Sequence, residues 1–274
     1  MTKEDRPLDL EHSNGFAISS VGGIPFAITD LPTATEWLQA SALRGDAVSV
    51  RLSNAYCVAL SDTDPKYKEV LLGSGVNFPD GAPVVWFMRR HRKSAHPGTA
   101  QRVRGPSMFI TNLNASQTSG TSNFFLGTTT EALALLVKRI KDDFPSTKIA
   151  GTYAPPFAPI SEAFLDACAK QIIESRAGIV WVGLGTPKQD FVSSELARRT
   201  GRPCVGVGAA FDFAAGTVAE APKWVQDSGF EWAFRLLSEP RRLWRRYLFG
   251  NVRFLRVALA YGARHHQKRY RALG

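Results

Sequence analysis

Residues 178–184 read GIVWVGL, with no polar side chain at either phase of a two-residue repeat. A strand that is apolar on both faces has to be covered on both faces, as in a parallel sheet held between two helix layers. Residues 203–207 follow in the same style, and segments at 24–28, 47–52, 123–126 and 148–150 also have strand character. The stretches between them have helical spacing. Residues 131–144 place Leu133, Leu136, Val137 and Ile140 on one face. They follow a threonine run able to cap a helix and carry Lys138, Arg139 and Lys141 near their end, where cations suit the helix dipole. Residues 161–175 are similar. Residues 187–199 begin on Pro187 and end on Arg198, Arg199 and then Gly201, the expected order of start and stop signals. Such alternation makes parallel βαβ units. The expected fold is α/β: a three-layer α/β/α sandwich with a mostly parallel, Rossmann-like sheet, whose ligands gather at the carboxyl ends of the strands.

Strand signals stop at Phe230. Pro240 reads as a helix start, and Leu243, Trp244, Tyr247, Leu248, Phe249, Leu255 and Leu259 then interleave with Arg241, Arg242, Arg245, Arg246, Arg253 and Arg256. This pattern predicts a C-terminal helical appendage at 235–274 on a core at 1–234, with residues 1–15 polar and loose. Charge divides the chain at the same place. There are 34 Lys+Arg against 24 Asp+Glu, net +10. Residues 235–274 hold eleven of those cations and one acid, Glu239, so the remainder is neutral. A neutral body with a basic tail implies an anionic partner for the tail. Arginines among aromatics suit RNA as well as lipid phosphate, but the high apolar content favours a membrane interface over nucleic acid. No run reaches the ~18 apolar residues of a spanning helix, and the opening MTKEDRPLDL lacks the apolar stretch of a signal peptide. A cytoplasmic chain, peripheral on a membrane, is the expectation.

Three strand ends deliver glycine-rich turns, containing Gly127, Gly183 with Gly185, and Gly206 with Gly208. Glycine lets the backbone approach a ligand closely, and together the three turns favour a nucleotide-like ligand. None completes a phosphate-loop or dinucleotide fingerprint, which weighs against a nucleotide-binding oxidoreductase. Asp62 and Asp64 resemble a D-x-D metal motif, but Pro65 and a helical stretch follow, so Asp64 as N-cap accounts for the pattern without a metal. The five histidines show no metal-ligand spacing. Cys57, Cys168 and Cys204 stand far apart in apolar surroundings and read as reduced core thiols. Asp80 lies in a turn before Gly81. That placement suits a structural turn, and equally a general base for an acceptor hydroxyl.

These pieces resemble, in order, the WecG/TagA/CpsF glycosyltransferases, over roughly residues 24–255. Asn54 stands in the first motif. Pro79-Asp80-Gly81 with Val84-Val85 follows, then Arg102-Val103-Arg104-Gly105 as an R-V-x-G step, and Phe124-Phe125-Leu126-Gly127 as an F-F-L-G strand. Residues 183–190 match G-L-G-x-P-x-Q-E with Asp190 in place of Glu, and 206–216 match G-V-G-x-x-F-D-x-x-x-G. Ala221-Pro222-Lys223-Trp224, Glu231-Trp232 with Arg235, and Glu239-Pro240-Arg241-Arg242 resemble the family's ending. Two departures are Leu52, where members often have Thr, and a longer, more basic insert at 88–100.

The resemblance implies a metal-independent, inverting transferase without a cofactor. It would move a hexosamine-type sugar, N-acetylmannosamine or its uronic acid among them, from a UDP-sugar to a saccharide on a polyprenyl diphosphate carrier, for cell-surface polysaccharide. Carried across by position, Asp80 would be the base, with Asn54 and Arg102 beside it. Gly127, Gly183, Gly185, Gln189 and Asp212 would face the donor. Arg235, Arg241, Arg242, Arg245 and Arg246 would meet diphosphate or lipid. The expected partners are the UDP-sugar, the lipid-linked acceptor and the anionic inner face of the cell membrane, with a homo-oligomer left open.

Overall fold

A computed structural model of the protein describes residues 12–91, 100–228, 231–238 and 240–271. The elements run β1 (His12–Ser13), β2 (Phe16–Val21), β3 (Ile24–Ala27), α1 (Leu31–Arg44), β4 (Ser49–Ser53), α2 (Ala55–Ser61), α3 (Pro65–Leu72), β5 (Val76–Pro79), α4 (Ala82–His91) and α5 (Gly105–Ser119). Then come β6 (Ser122–Gly127), α6 (Thr130–Asp143), β7 (Lys148–Tyr153), α7 (Glu162–Ser175), β8 (Ile179–Gly183), α8 (Lys188–Thr200) and β9 (Cys204–Gly206). The chain closes on α9 (Ala210–Ala215), α10 (Lys223–Ser228), α11 (Glu231–Ser238) and α12 (Pro240–Arg271).

Six strands form one sheet in the order β5-β4-β9-β8-β6-β7, every pair parallel. Both faces are covered, as the GIVWVGL run requires. Ile179 and Trp181 point to the side packed by α1, α5, α6 and α9, while Val180 and Val182 point to the side packed by α7 and α8. The three-layer α/β/α sandwich follows from that alternation. Local signals act where expected. Thr129 caps α6 by accepting from Ala132 N at 3.2 Å, and Ser161 caps α7 through Phe164 N at 3.2 Å. Asp64 caps α3 through Tyr67 N at 3.0 Å, with Pro65 at its first position. All three cysteines are free and buried.

Segment 24–28 departs from its expected role as a sheet strand of a βαβ unit. It enters a separate antiparallel sheet, β1-β2-β3. Gly22 and Gly23, at φ 61° and 84°, form the tight turn that reverses the chain and pairs Val21 with Ile24. In the stretch expected to be loose, His12–Ser13 pair with β2; residues 1–11 lie outside the described residues, as do 92–99 of the basic insert.

The tail is helical, as expected, and it is seated on the body. Leu243, Phe254 and Ala258 of α12 are buried. Phe254 packs edge-on against Phe87 at 5.4 Å. It shares a second core with Val21, Ile24, Val58 and Tyr67, from the small sheet, α2 and α3.

Candidate active site

A cavity of about 500 Å³ opens at the carboxyl ends of the parallel strands. Asn54 follows β4, Asp80 follows β5, Thr128 follows β6, Leu184 follows β8 and Val207 follows β9, and all five line it. Strand direction alone brings these positions together, since every strand of the sheet ends on this side. Another cavity, of about 370 Å³ beside β3 and β5, is lined by no charged side chain.

Asp80 is one of three carboxylates that line the cavity, with Asp212 and Glu231. Its backbone N–H donates to Ser53 O at 2.9 Å, continuing the β4–β5 ladder past the strand end. Gly81 follows at φ 131°, a conformation open to glycine, and releases the chain into α4. Desolvation pushes the Asp80 carboxyl up to about 6, with the Glu231 charge adding to the rise. Arg102, Arg104 and Arg235 oppose it. A carboxyl so placed is ionised at neutral pH, yet more basic than an exposed one.

The arginines arrive by a single extended segment. Gln101 N donates to Thr29 O at 2.8 Å and Val103 N to Pro79 O at 2.9 Å, which lays residues 101–104 alongside the end of β5. Val103 turns into the core, so Arg102 and Arg104 share the other face. Arg102 does not line the cavity wall. It donates to Gln226 O at 3.0 Å and stands 3.5 Å from Glu231. Arg104 does line it, held by Glu231 through Nε at 3.0 Å and Nη2 at 2.8 Å, by Glu220 at 2.6 Å and by Gln226 at 2.8 Å. Arg104 and Glu231 stand in matched motifs, but the sequence alone gives neither a role. The i, i+2 spacing of the two arginines about Val103 was the signal available for the first.

Asn54 caps α2, its Oδ1 accepting from Tyr56 N at 3.0 Å and Cys57 N at 3.4 Å, and the residue lines the cavity. Gln189 lines the cavity although almost wholly buried, and accepts from Gly208 N at 2.9 Å, fixing the turn after β9. Its neighbour Asp190 turns into the core instead and accepts from Tyr67 Oη at 2.6 Å. Asp212 lines the cavity from the first turn of α9.

The glycines divide. Gly185 lines the cavity at φ 74°, with open space where a Cβ would stand. Gly183 also lines it, but its missing Cβ makes room for the Phe211 ring, 2.6 Å from where that atom would be. Gly127 does not line it. A Cβ there would meet Gly183 O at 2.4 Å, so this glycine lets β6 and β8 approach. Thr128, the next residue, is on the wall with φ 51°, a strained conformation for a β-branched residue.

From the tail, Arg235 lines the cavity and stacks over Phe213 at 5.6 Å. Arg241 is exposed at the start of α12, off the wall. The side chains of Arg242, Arg245 and Arg246 lie outside the described residues. Asp62 closes α2, and among the described residues no three His, Cys, Asp or Glu side chains gather as metal ligands. No helix among the described residues is long and apolar enough to cross a membrane.

The model for the glycosyl transferase WecG/TagA/CpsF family matches residues 19–268. A protein of Bacillus spizizenii, an N-acetylglucosaminyldiphosphoundecaprenol N-acetyl-beta-D-mannosaminyltransferase, is 31% identical over 186 residues, 68% of this chain and 68% of its own. Residues 19–268, matched by the family model, take in every strand of the parallel sheet and every cavity-lining residue described above.

Proposed function

The chain belongs to the WecG/TagA/CpsF glycosyltransferase family, and from that premise we propose that it transfers a hexosamine-type sugar from a UDP-sugar to a saccharide on a polyprenyl diphosphate. The Bacillus spizizenii relative supports both the acceptor class and N-acetylmannosamine as the sugar, by its name. The observation that carries the reading is the convergence of Asp80, Asn54, Gln189, Asp212 and Arg235 on one cavity at the strand ends.

The chemistry is one displacement. The acceptor hydroxyl oxygen bonds to the anomeric carbon as the bond from that carbon to the UDP oxygen breaks, which inverts the centre. The hydroxyl proton goes to Asp80, whose raised affinity for protons suits it to the task. Negative charge develops on the departing diphosphate and must be met in place. Arg235 stands at the wall for this, with Arg241 and its neighbours Arg242, Arg245 and Arg246 next along the chain. Arg102 acts behind them, offsetting Glu231. No step calls for a metal or a cofactor.

Residues 235–274, which follow the core at 1–234 and dock on it through Leu243, Phe254 and Ala258, then serve as the membrane-facing part. Trp244, Leu248, Phe249, Val252, Leu255 and Leu259 are exposed along α12. Apolar side chains among arginines dock at an anionic interface, and a carrier lipid places the reaction at the inner face of the cell membrane. The test is a panel of UDP-sugars, each supplied with a short-chain lipid-diphosphate disaccharide precursor in excess chelator. One UDP-hexosamine should give a product heavier by one sugar. Dependence on added Mg²⁺ or Mn²⁺, or transfer only from other nucleotide sugars, overturns the reading at that point.

A further inference from the structure

The segment bearing α10 and the start of α11 meets the cavity wall at Arg104, with Arg102 bonding it from behind. Arg104 is 5% exposed. Its guanidinium bonds to Glu231, Glu220 and Gln226 on that segment and, off it, to Ser107 at 3.3 Å. A buried guanidinium presenting a fork at a cavity wall is a receptor for paired oxyanions, and here both places are filled by the protein's own carboxylates. The charge of the wall is also unfavourable to the ligand it has to hold. Its charged residues are Asp80, Asp212 and Glu231 against Arg104 and Arg235, an excess of negative charge. Arg102 behind the wall offsets part of that charge, and an anionic diphosphate still meets the carboxylates that occupy Arg104.

We propose that Glu231 and Glu220 are place-holding counterions, and that a diphosphate entering the cavity takes over Arg104 from them. The inference rests on the sugar-transfer reading and adds a binding residue to it. Arg104 occupies the x of the R-V-x-G step, a position to which the resemblance assigns no role. The exchange replaces carboxylate oxygens by phosphate oxygens on the same N–H donors, so no hydrogen bond to the guanidinium is lost. Its structural consequence is a loosening at Glu220 and Glu231, while Gln226 keeps its bonds from Arg104 and Arg102. The diphosphate belongs to the nucleotide donor or to the prenyl carrier, and the two are separable by experiment.

The test titrates UDP, and separately farnesyl diphosphate, into the full chain by calorimetry. Glu231→Gln and Glu220→Gln keep the shape and remove the competing charge. Each should tighten binding by about 3- to 10-fold, the size of one charge interaction in a partly solvated site. Arg104→Lys, which loses the fork, should weaken it by about tenfold or more. Bound ligand should also speed limited proteolysis within 217–228. Tightening for UDP assigns Arg104 to the donor, and tightening for farnesyl diphosphate alone assigns it to the carrier. Unchanged or weaker binding of both ligands by a folded Glu231→Gln variant overturns the exchange while leaving the transferase reading intact. Failure of the unsubstituted protein to bind either diphosphate overturns both.

Discussion

Asp80 lies between opposed charges, with Glu231 raising its proton affinity and Arg102, Arg104 and Arg235 lowering it, on top of a larger desolvation effect. The native fold therefore favours the neutral acid. Its stabilising contribution is full below the ordinary value of 3.8 and is lost as pH rises through about 6. Asp80→Asn, which cannot ionise, should match the unsubstituted protein in thermal stability near pH 4 and exceed it by about 1–3 kcal/mol at pH 8. A loss of stability at pH 8 would mark the residue as a structural turn. With Asp80 as the proposed base, activity runs the other way with pH, since a base must be ionised. Turnover should fall as pH drops through about 6, and Glu231→Gln should move that limb to lower pH, which a pH–rate profile resolves. At this scale the sequence made some positions readable and hid others. Asp80, Asn54, Gln189 and Asp212 stand directly after strands or at helix starts, and a strand-end rule finds them. Glu231 was hidden because its partner Arg104 is 127 residues away, and nothing local marks such a pair.

Among the elements, α12 has two unlike faces. Phe254 is 2% exposed and packed against Phe87, while Leu255 beside it is 49% exposed. Phe254→Ala should cost about 3–5 kcal/mol, as for other buried phenylalanines, read as a lower denaturation midpoint. Leu255→Ser paired with Leu259→Ser should leave that midpoint almost unchanged and reduce binding to anionic vesicles. Equal effects of the two kinds of change would mean that the faces are not separate. Removal of the whole helix should destabilise the body, because Phe254 and Ala258 close the core that holds Val21 and Ile24. The periodicity of the arginines and apolar residues gave the helix, but not its docking, since both faces of it are apolar. The small sheet was misread for a related reason. A four-residue strand such as β3 carries the same pattern whether its neighbours are parallel or antiparallel, and only the Gly22-Gly23 turn distinguishes them.

For the molecule as a whole, charge and topology act together. The parallel sheet gathers its strand ends into one cavity, and α11 and α12 follow directly from its rim, carrying the chain's net charge of +10. Each cation near an anionic bilayer contributes about 1 kcal/mol, fading over a Debye length of ~8 Å at physiological salt. Flotation with anionic vesicles should therefore weaken in high salt and disappear with neutral lipid; salt-insensitive flotation would assign attachment to the apolar face alone. The sandwich itself was legible because a strand as apolar as β8 admits few surroundings, and the buried Trp181 and Val182 on its opposite faces bear that out. The measurement closest to the central claim compares the unsubstituted protein with Asp80→Asn. Both receive the same UDP-hexosamine and lipid-diphosphate acceptor, and UDP affinity is measured in parallel. The proposed mechanism predicts transfer lowered by about 10²–10⁴-fold in the variant with UDP affinity retained. Transfer at the unsubstituted rate would contradict it.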